Sequence, residues 1–137
     1  MKIFRSIDVA GSALTAHRLW MDTISSNLAN VNTTRTPEGG PYMRKVPVFA
    51  EMLDREIDGP MGGVRVTQIA KDSQPPRLAY QPDHPDARKD GYVEFPNVSV
   101  VREMTDMMVA SRAYEANLAV TETAKTMWNG ALDILRG

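Results

Sequence analysis

His84 and Asp86 stand two residues apart in His84-Pro85-Asp86, and an imidazole beside a carboxylate is a familiar beginning of a metal site. One histidine and one aspartate are too few donors to hold an ion. Asp83 and Asp90 read as solvated loop acids, so the expectation is a structural loop. His17 has no histidine or cysteine three or four residues on, and is expected to be a satisfied polar residue. Gly59-Pro60-Met61-Gly62-Gly63 lacks the Lys-Ser/Thr ending of a phosphate-binding loop and reads as a turn with Asp58. Ser25 and Ser26 fall in a helical stretch with no base or acid implied nearby, which leaves no activated nucleophile. Glu38 with Glu51, or Glu103 with Asp106, are the remaining acid pairs. Glu103 and Asp106 read as a solvated face near a helix N-terminus, where acids are favoured. Arg35, Arg44 and Lys45 make a small basic cluster without the interleaved aromatics of a nucleic-acid surface. No catalytic, cofactor-binding or metal site is therefore expected, and no cofactor.

Composition narrows the classes further. The chain has 137 residues, the size of one ordinary domain, and a formal charge of −1, too small to steer it to nucleic acid or an acidic membrane. It has no cysteine, which excludes disulfides and thiol chemistry. Its nine methionines suit either plain core filling or adaptable contact surfaces. No cleavable secretory leader is read at Met1-Lys2-Ile3-Phe4-Arg5, and no run of apolar residues is long enough to span a bilayer.

The informative pattern lies at the two ends. Ile7, Leu14, Met21 and Leu28 form one heptad row, and Ile3, Ala10, His17, Ile24 and Val31 form the other. That spacing predicts a helix over residues 3–31, about 40 Å long at 1.5 Å per residue. Asn27, Asn30 and Asn32 crowd its end, where asparagine is tolerated. A second helix is predicted from near Asn97 or Ser99 to residue 136. One of its rows is Ala110, Asn117, Ala124 and Ala131, and another is Ala113, Val120, Met127 and Ile134. Tyr114, Thr121, Trp128 and Leu135 widen that face, and Met104, Met107 and Met108 extend it.

Between them the chain is rich in proline and glycine. Val46, Val48 and Phe49 suggest a short edge strand around Pro47, and Phe49–Ile57 a helical turn or two. Residues 64–69 have strand composition, Leu78-Ala79-Tyr80 is expected to pair back on them, and Tyr92–Phe95 is a further short strand. The fold class expected is mainly α: long N- and C-terminal helices pairing as a coiled-coil domain, with a small β-rich insert. The boundaries are 1–34, 35–97 and 98–137.

Several blocks carry a family resemblance. Ser25-Ser26-Asn27-Leu28-Ala29-Asn30-Val31-Asn32-Thr33 resembles the N-terminal signature of the bacterial flagellar rod and hook axial proteins. Arg35-Thr36-Pro37-Glu38-Gly39-Gly40-Pro41-Tyr42 and Pro82-Asp83-His84-Pro85-Asp86-Ala87 narrow the resemblance to the proximal rod members. Glu103-Met104-Thr105-Asp106-Met107-Met108 and Ala110–Asn117 are similar to the family's C-terminal helix. The short insert argues against hook and distal-rod members.

The resemblance implies export through the flagellar type III apparatus without a cleaved leader. It also implies assembly with copies of itself and other rod proteins into a helical drive shaft and export channel that crosses the periplasm. No nucleic acid and no membrane insertion are expected. The residues expected to form the assembly interface are Ile7, Leu14, Met21, Ile24, Leu28 and Val31 on the first helix. Tyr114, Val120, Met127, Trp128 and Ile134 are expected on the second. Asn27, Asn30 and Asn117 are expected to fix register by bonds across the pair. A rival reading is a small helical adaptor or export chaperone, which would form a discrete complex rather than a polymer. An enzyme would need a cleft with convergent polar groups.

Overall fold

The computed structural model describes residues 2–54 and 59–137. The order of elements is α1 (Lys2–Ala29), β1 (Lys45–Asp54), β2 (Gly59–Lys71), β3 (Arg77–Tyr80), β4 (Tyr92–Phe95) and α2 (Val100–Arg136). Two long helices thus enclose two small antiparallel sheets, β1–β2 and β3–β4.

The two helices pack side by side. Asn27 near the end of α1 touches Glu103 near the start of α2, and Met21 meets Ser111 two turns on, so the helices run in opposite directions. Ala10 and Ile24 are buried on one heptad row of α1, and Ala110 and Ala124 on one row of α2, so most of the buried side chains on these rows are small. Alanine lets two helix backbones approach closely at little entropic cost.

α1 stops where its asparagines begin. The Asn30 N–H is shared between the Ser26 and Asn27 carbonyls, and the Asn30 side chain donates to Ser26 as well. These bonds close the last turn, and Val31 lies beyond the helix. The Ile3 side chain lies outside the described residues.

The β1–β2 hairpin lies against α1. The Ser12 hydroxyl donates to the Val9 carbonyl and accepts the Val64 N–H at 3.1 Å, tying helix to strand. A Cβ on Gly63 would stand 3.2 Å from that hydroxyl oxygen, so glycine permits the close approach. Gly59–Gly63, expected as a turn, therefore belongs to β2, while Asp58 lies outside the described residues. The helical turn expected over Phe49–Ile57 is also corrected. Residues 49–54 continue β1, and residues 55–57 lie outside the described residues. Local helix preference there yields to pairing with β2 and to the edge-on packing of Trp20 on Phe49, with ring centroids 5.9 Å apart. Pro47 sits opposite Ile69 in this two-stranded sheet, where both strands are edges.

Leu78-Ala79-Tyr80 does not pair with residues 64–69, whose partner is already β1. It pairs with Tyr92–Phe95 instead, in the register Leu78 to Glu94 and Tyr80 to Tyr92. Gly91, at φ +82°, turns the chain into β4. A Cβ there would meet the Tyr80 ring at 2.7 Å.

Candidate assembly site

Two features of this fold stand out: the buried polar junction that fixes the helices to the insert, and the apolar stripe that α2 turns outward.

The junction is built around Asn27. Its side chain is 1% exposed and uses its full hydrogen-bonding capacity. The amide nitrogen donates to the Lys45 carbonyl at 2.9 Å and to Glu103 Oε2 at 3.0 Å. The amide oxygen accepts the Lys45 N–H and the Tyr42 hydroxyl, both at 2.9 Å. One asparagine thereby joins α1, the start of β1 and α2.

Arg44 completes the junction. Its side chain is 7% exposed, and its Nε donates to Glu103 Oε1 at 2.5 Å. Its two terminal nitrogens reach Asp106 at 3.1 Å and Asp72 at 3.4 Å. Burial opposes the arginine charge most strongly. The Glu103 carboxylate, with Asp106 and Asp72 behind it, outweighs that cost and holds the guanidinium proton above its ordinary range. The Arg44 backbone is pinned too: its N–H donates to Asn97 Oδ1 at 2.7 Å, and its carbonyl accepts the Asp72 N–H at 2.8 Å. Asn97 in turn donates to the Gln74 carbonyl.

This geometry corrects the expected solvated face. Asp106 is partly exposed, but Glu103 is 0% exposed and paired. The sequence held a usable sign. Glu103 lies seven residues before Ala110, on the same inward row as Asn117 and Ala124. An acid on a buried row needs a cation, and Arg44 beside the Asn-rich helix end was available.

The other polar candidates resolve locally. Among the described residues Asn30 and Asn117 do not reach across: Asn30 bonds to Ser26 and Thr33, and Asn117 to the Ala113 carbonyl of its own helix. His17 was expected to be satisfied, yet its Nδ1 is buried without a hydrogen-bond partner among the described residues, with the ring beside Trp20. His84 Nδ1 accepts the Asp86 N–H at 3.0 Å, while the Asp86 carboxylate takes the Thr34 hydroxyl at 2.8 Å and pairs with Arg35. That bonding pattern makes His84-Pro85-Asp86 a loop clasp. The Thr34 hydroxyl first, and then Arg35, hold the Asp86 carboxyl below the usual carboxylate range. Glu38 is paired with Lys71 on β2. Lys45 stands over the Tyr42 ring, so Arg35, Arg44 and Lys45 engage three separate partners.

The apolar candidates divide by face. Ile24 is buried, and Ile7, Leu14, Met21, Leu28 and Val31 are half-buried. On α2 only Glu103, Ala110 and Ala124 are buried. Tyr114 is half-buried, Val120, Met127 and Trp128 are exposed, and Ile134 and Leu135 are each 82% exposed. Val101, Met104 and Met108 are exposed at the opposite end of the helix. So large an apolar surface is rare on a protein that works alone.

Comparison with known proteins gives these surfaces a context. Residues 7–35 match the family described as flagella basal body rod protein. Residues 89–134 match the family described as flagellar basal body rod FlgEFG protein C-terminal. The flagellar basal-body rod protein FlgC of Borreliella burgdorferi is 49% identical, covering 100% of each chain. The FlgC proteins of Bacillus subtilis and Salmonella typhimurium are 40% and 41% identical, covering 98% and 93% of this chain.

The chain belongs to the FlgC family.

It is a structural protein of the flagellar basal-body rod and not an enzyme. The two matched segments hold most of α1 and most of α2, the second with β4 as well. Among the described residues, no helix is long and apolar enough to cross a membrane.

Proposed function

We propose that this FlgC-family chain assembles with copies of itself and with other rod proteins into the proximal part of a helical drive shaft, which also serves as an export channel across the periplasm. In this reading residues 1–34 and 98–137, the segments that contain α1 and α2, form one coiled-coil domain, and residues 35–97 form the insert between them. The chain reaches its site unfolded through the flagellar type III export apparatus, without a cleaved leader.

One observation carries the proposal: the distal half of α2 exposes Val120, Met127, Ile134 and Leu135, while the contact with α1 uses the alanine row. A tube of repeating subunits needs contacts that do not close on themselves, and each subunit must then keep an apolar face free for a neighbour. Ile7, Leu14, Met21 and Leu28 on α1 and Val31 just beyond it are half-buried in the single chain, as are Asn30, Tyr114 and Asn117, and together with the exposed Trp128 they complete the proposed interface. Ile24 and Asn27, being buried in the single chain, act within the pair and not between subunits.

The test is a strain carrying Ile134→Asp with Leu135→Asp. Export of the variant should continue, while its recovery in purified basal bodies and swimming motility are lost. Full motility with the variant present in the rod would overturn the reading. A discrete soluble complex of fixed stoichiometry, with no incorporation into basal bodies, would favour the adaptor.

A further inference from the structure

The buried faces of α1 and α2 do not by themselves specify how far along each other the helices sit. What α2 buries below its first turn is Ala110 and Ala124, and Asn117 between them bonds, among the described residues, within its own helix. On α1 the buried residues of the corresponding heptad row are Ala10 and Ile24. A slip of one heptad, about 10 Å along the axis, would bring Asn117, Ala124 and Ala131 to the places of Ala110, Asn117 and Ala124, a row that again holds no side chain larger than asparagine. The same slip cannot be made at the junction. It would bring Ala110 and Ala113 to the places of Glu103 and Asp106, and Arg44 would face two methyl groups. In the opposite direction Pro96 and Ser99 would arrive there, neither of them an acid. Arg44 cannot follow the slip, because its neighbour Lys45 is held to Asn27 of α1 through both backbone groups, and its own carbonyl is held by Asp72.

We propose that the Arg44–Glu103 pair, with Arg44 placed by Asn27, is the register lock of the two-helix contact. The role is separate from apolar adhesion. It selects the native alignment over the shifted one that this row of small side chains leaves open, and so decides how far the apolar end of α2 projects. The lock comprises a cation fixed to α1 through the hairpin and the single anion on the inward row of α2. Asn30 and Asn117 take no part in it.

The natural absence of cysteine makes the test direct. Met21→Cys with Ser111→Cys reports the native register, since these side chains touch at 3.6 Å. Met21→Cys with Leu118→Cys, or with Met104→Cys, reports a slip of one heptad either way. In the otherwise native chain, mild oxidation should close only the first pair within a monomer. Adding Glu103→Ala, or the paired change Arg44→Met with Glu103→Leu, should raise closure of a slipped pair at least tenfold. The paired change removes both charges and leaves none stranded, so a folded chain remains to be read. Asn97→Ala, which cuts the other tie between Arg44 and the start of α2, should leave only the native bridge. Three results would overturn the proposal. One is a paired variant that keeps its helical signal and closes only the native bridge. Another is slippage from Asn97→Ala alone. The third is loss of helix in both charge variants, which would make the pair a support of the fold and not of its register.

Discussion

The two ends of α2 differ in kind. Near its start the helix buries a carboxylate, surrounds it with an arginine and an asparagine, and gives every side-chain nitrogen and oxygen of the three a partner. Near its finish it shows Ile134 and Leu135 to solvent. Burying polar groups at one end while exposing apolar ones at the other inverts the usual economy of a globular protein. Orientation explains the difference. Polar groups interact through directed bonds and define a geometry, so the buried charged end sets where the helix lies. Apolar groups adhere without direction, and the exposed end suits contact with neighbours of the rod.

The largest expected effect is at the polar end. Glu103→Ala strands the Arg44 charge in a buried site and should cost about 3–5 kcal/mol of unfolding free energy, read from urea denaturation. The paired change Arg44→Met with Glu103→Leu should recover a good part of that loss, because neither partner is left uncompensated. A Glu103→Ala variant as stable as the native chain would remove the contrast between the two ends.

Asn27→Ala should come next. It leaves the Lys45 backbone groups and the Tyr42 hydroxyl short of partners, at about 2–3 kcal/mol by the same measurement. Asn30→Ala and Asn117→Ala, whose bonds are local, should cost under about 1 kcal/mol each. Equal losses at all three asparagines would mean that the bridging bonds of Asn27 are not special.

Gly91→Ala is a control remote from both ends. It combines a positive φ with a Cβ driven into the Tyr80 ring, and should cost about 1–3 kcal/mol without changing rod incorporation. At the apolar end, Ile134→Asp with Leu135→Asp should leave the stability of the isolated chain within about 0.5 kcal/mol of native. Its effect should be confined to assembly, which sharpens the comparison: one end changes folding and the other changes association.

The smallest effect concerns pH. Asp86 is held below the ordinary carboxylate range, so its contribution is complete above the unfolded value of about 4 and is lost as pH falls through the folded value. The clasp between Thr34, Arg35 and Asp86 should therefore loosen below about pH 4, visible as chemical-shift changes confined to the two loops it joins. Asp86→Asn should abolish that titration while leaving the helix signal intact.

The helices were legible because periodicity is local: Ile7, Leu14, Met21 and Leu28 announce a seam whatever lies opposite. The insert was less so. Residues 49–54 favour helix by composition, and only their pairing with β2 and the contact of Phe49 with Trp20 make them strand. Leu78-Ala79-Tyr80 looked like a strand and is one, but its partner depended on which strand was already taken.

The amino-acid order by itself determined the two long helices, the turn-rich middle and the family, because each rests on residues near one another in the chain. It did not decide what becomes of Glu103. An acid three residues before Asp106 looks solvated until the fold brings Arg44 and Asn27 to it, from 59 and 76 positions away. Burial is a property of what surrounds a side chain, and that neighbourhood exists only once α1, the hairpin and α2 have closed on one another.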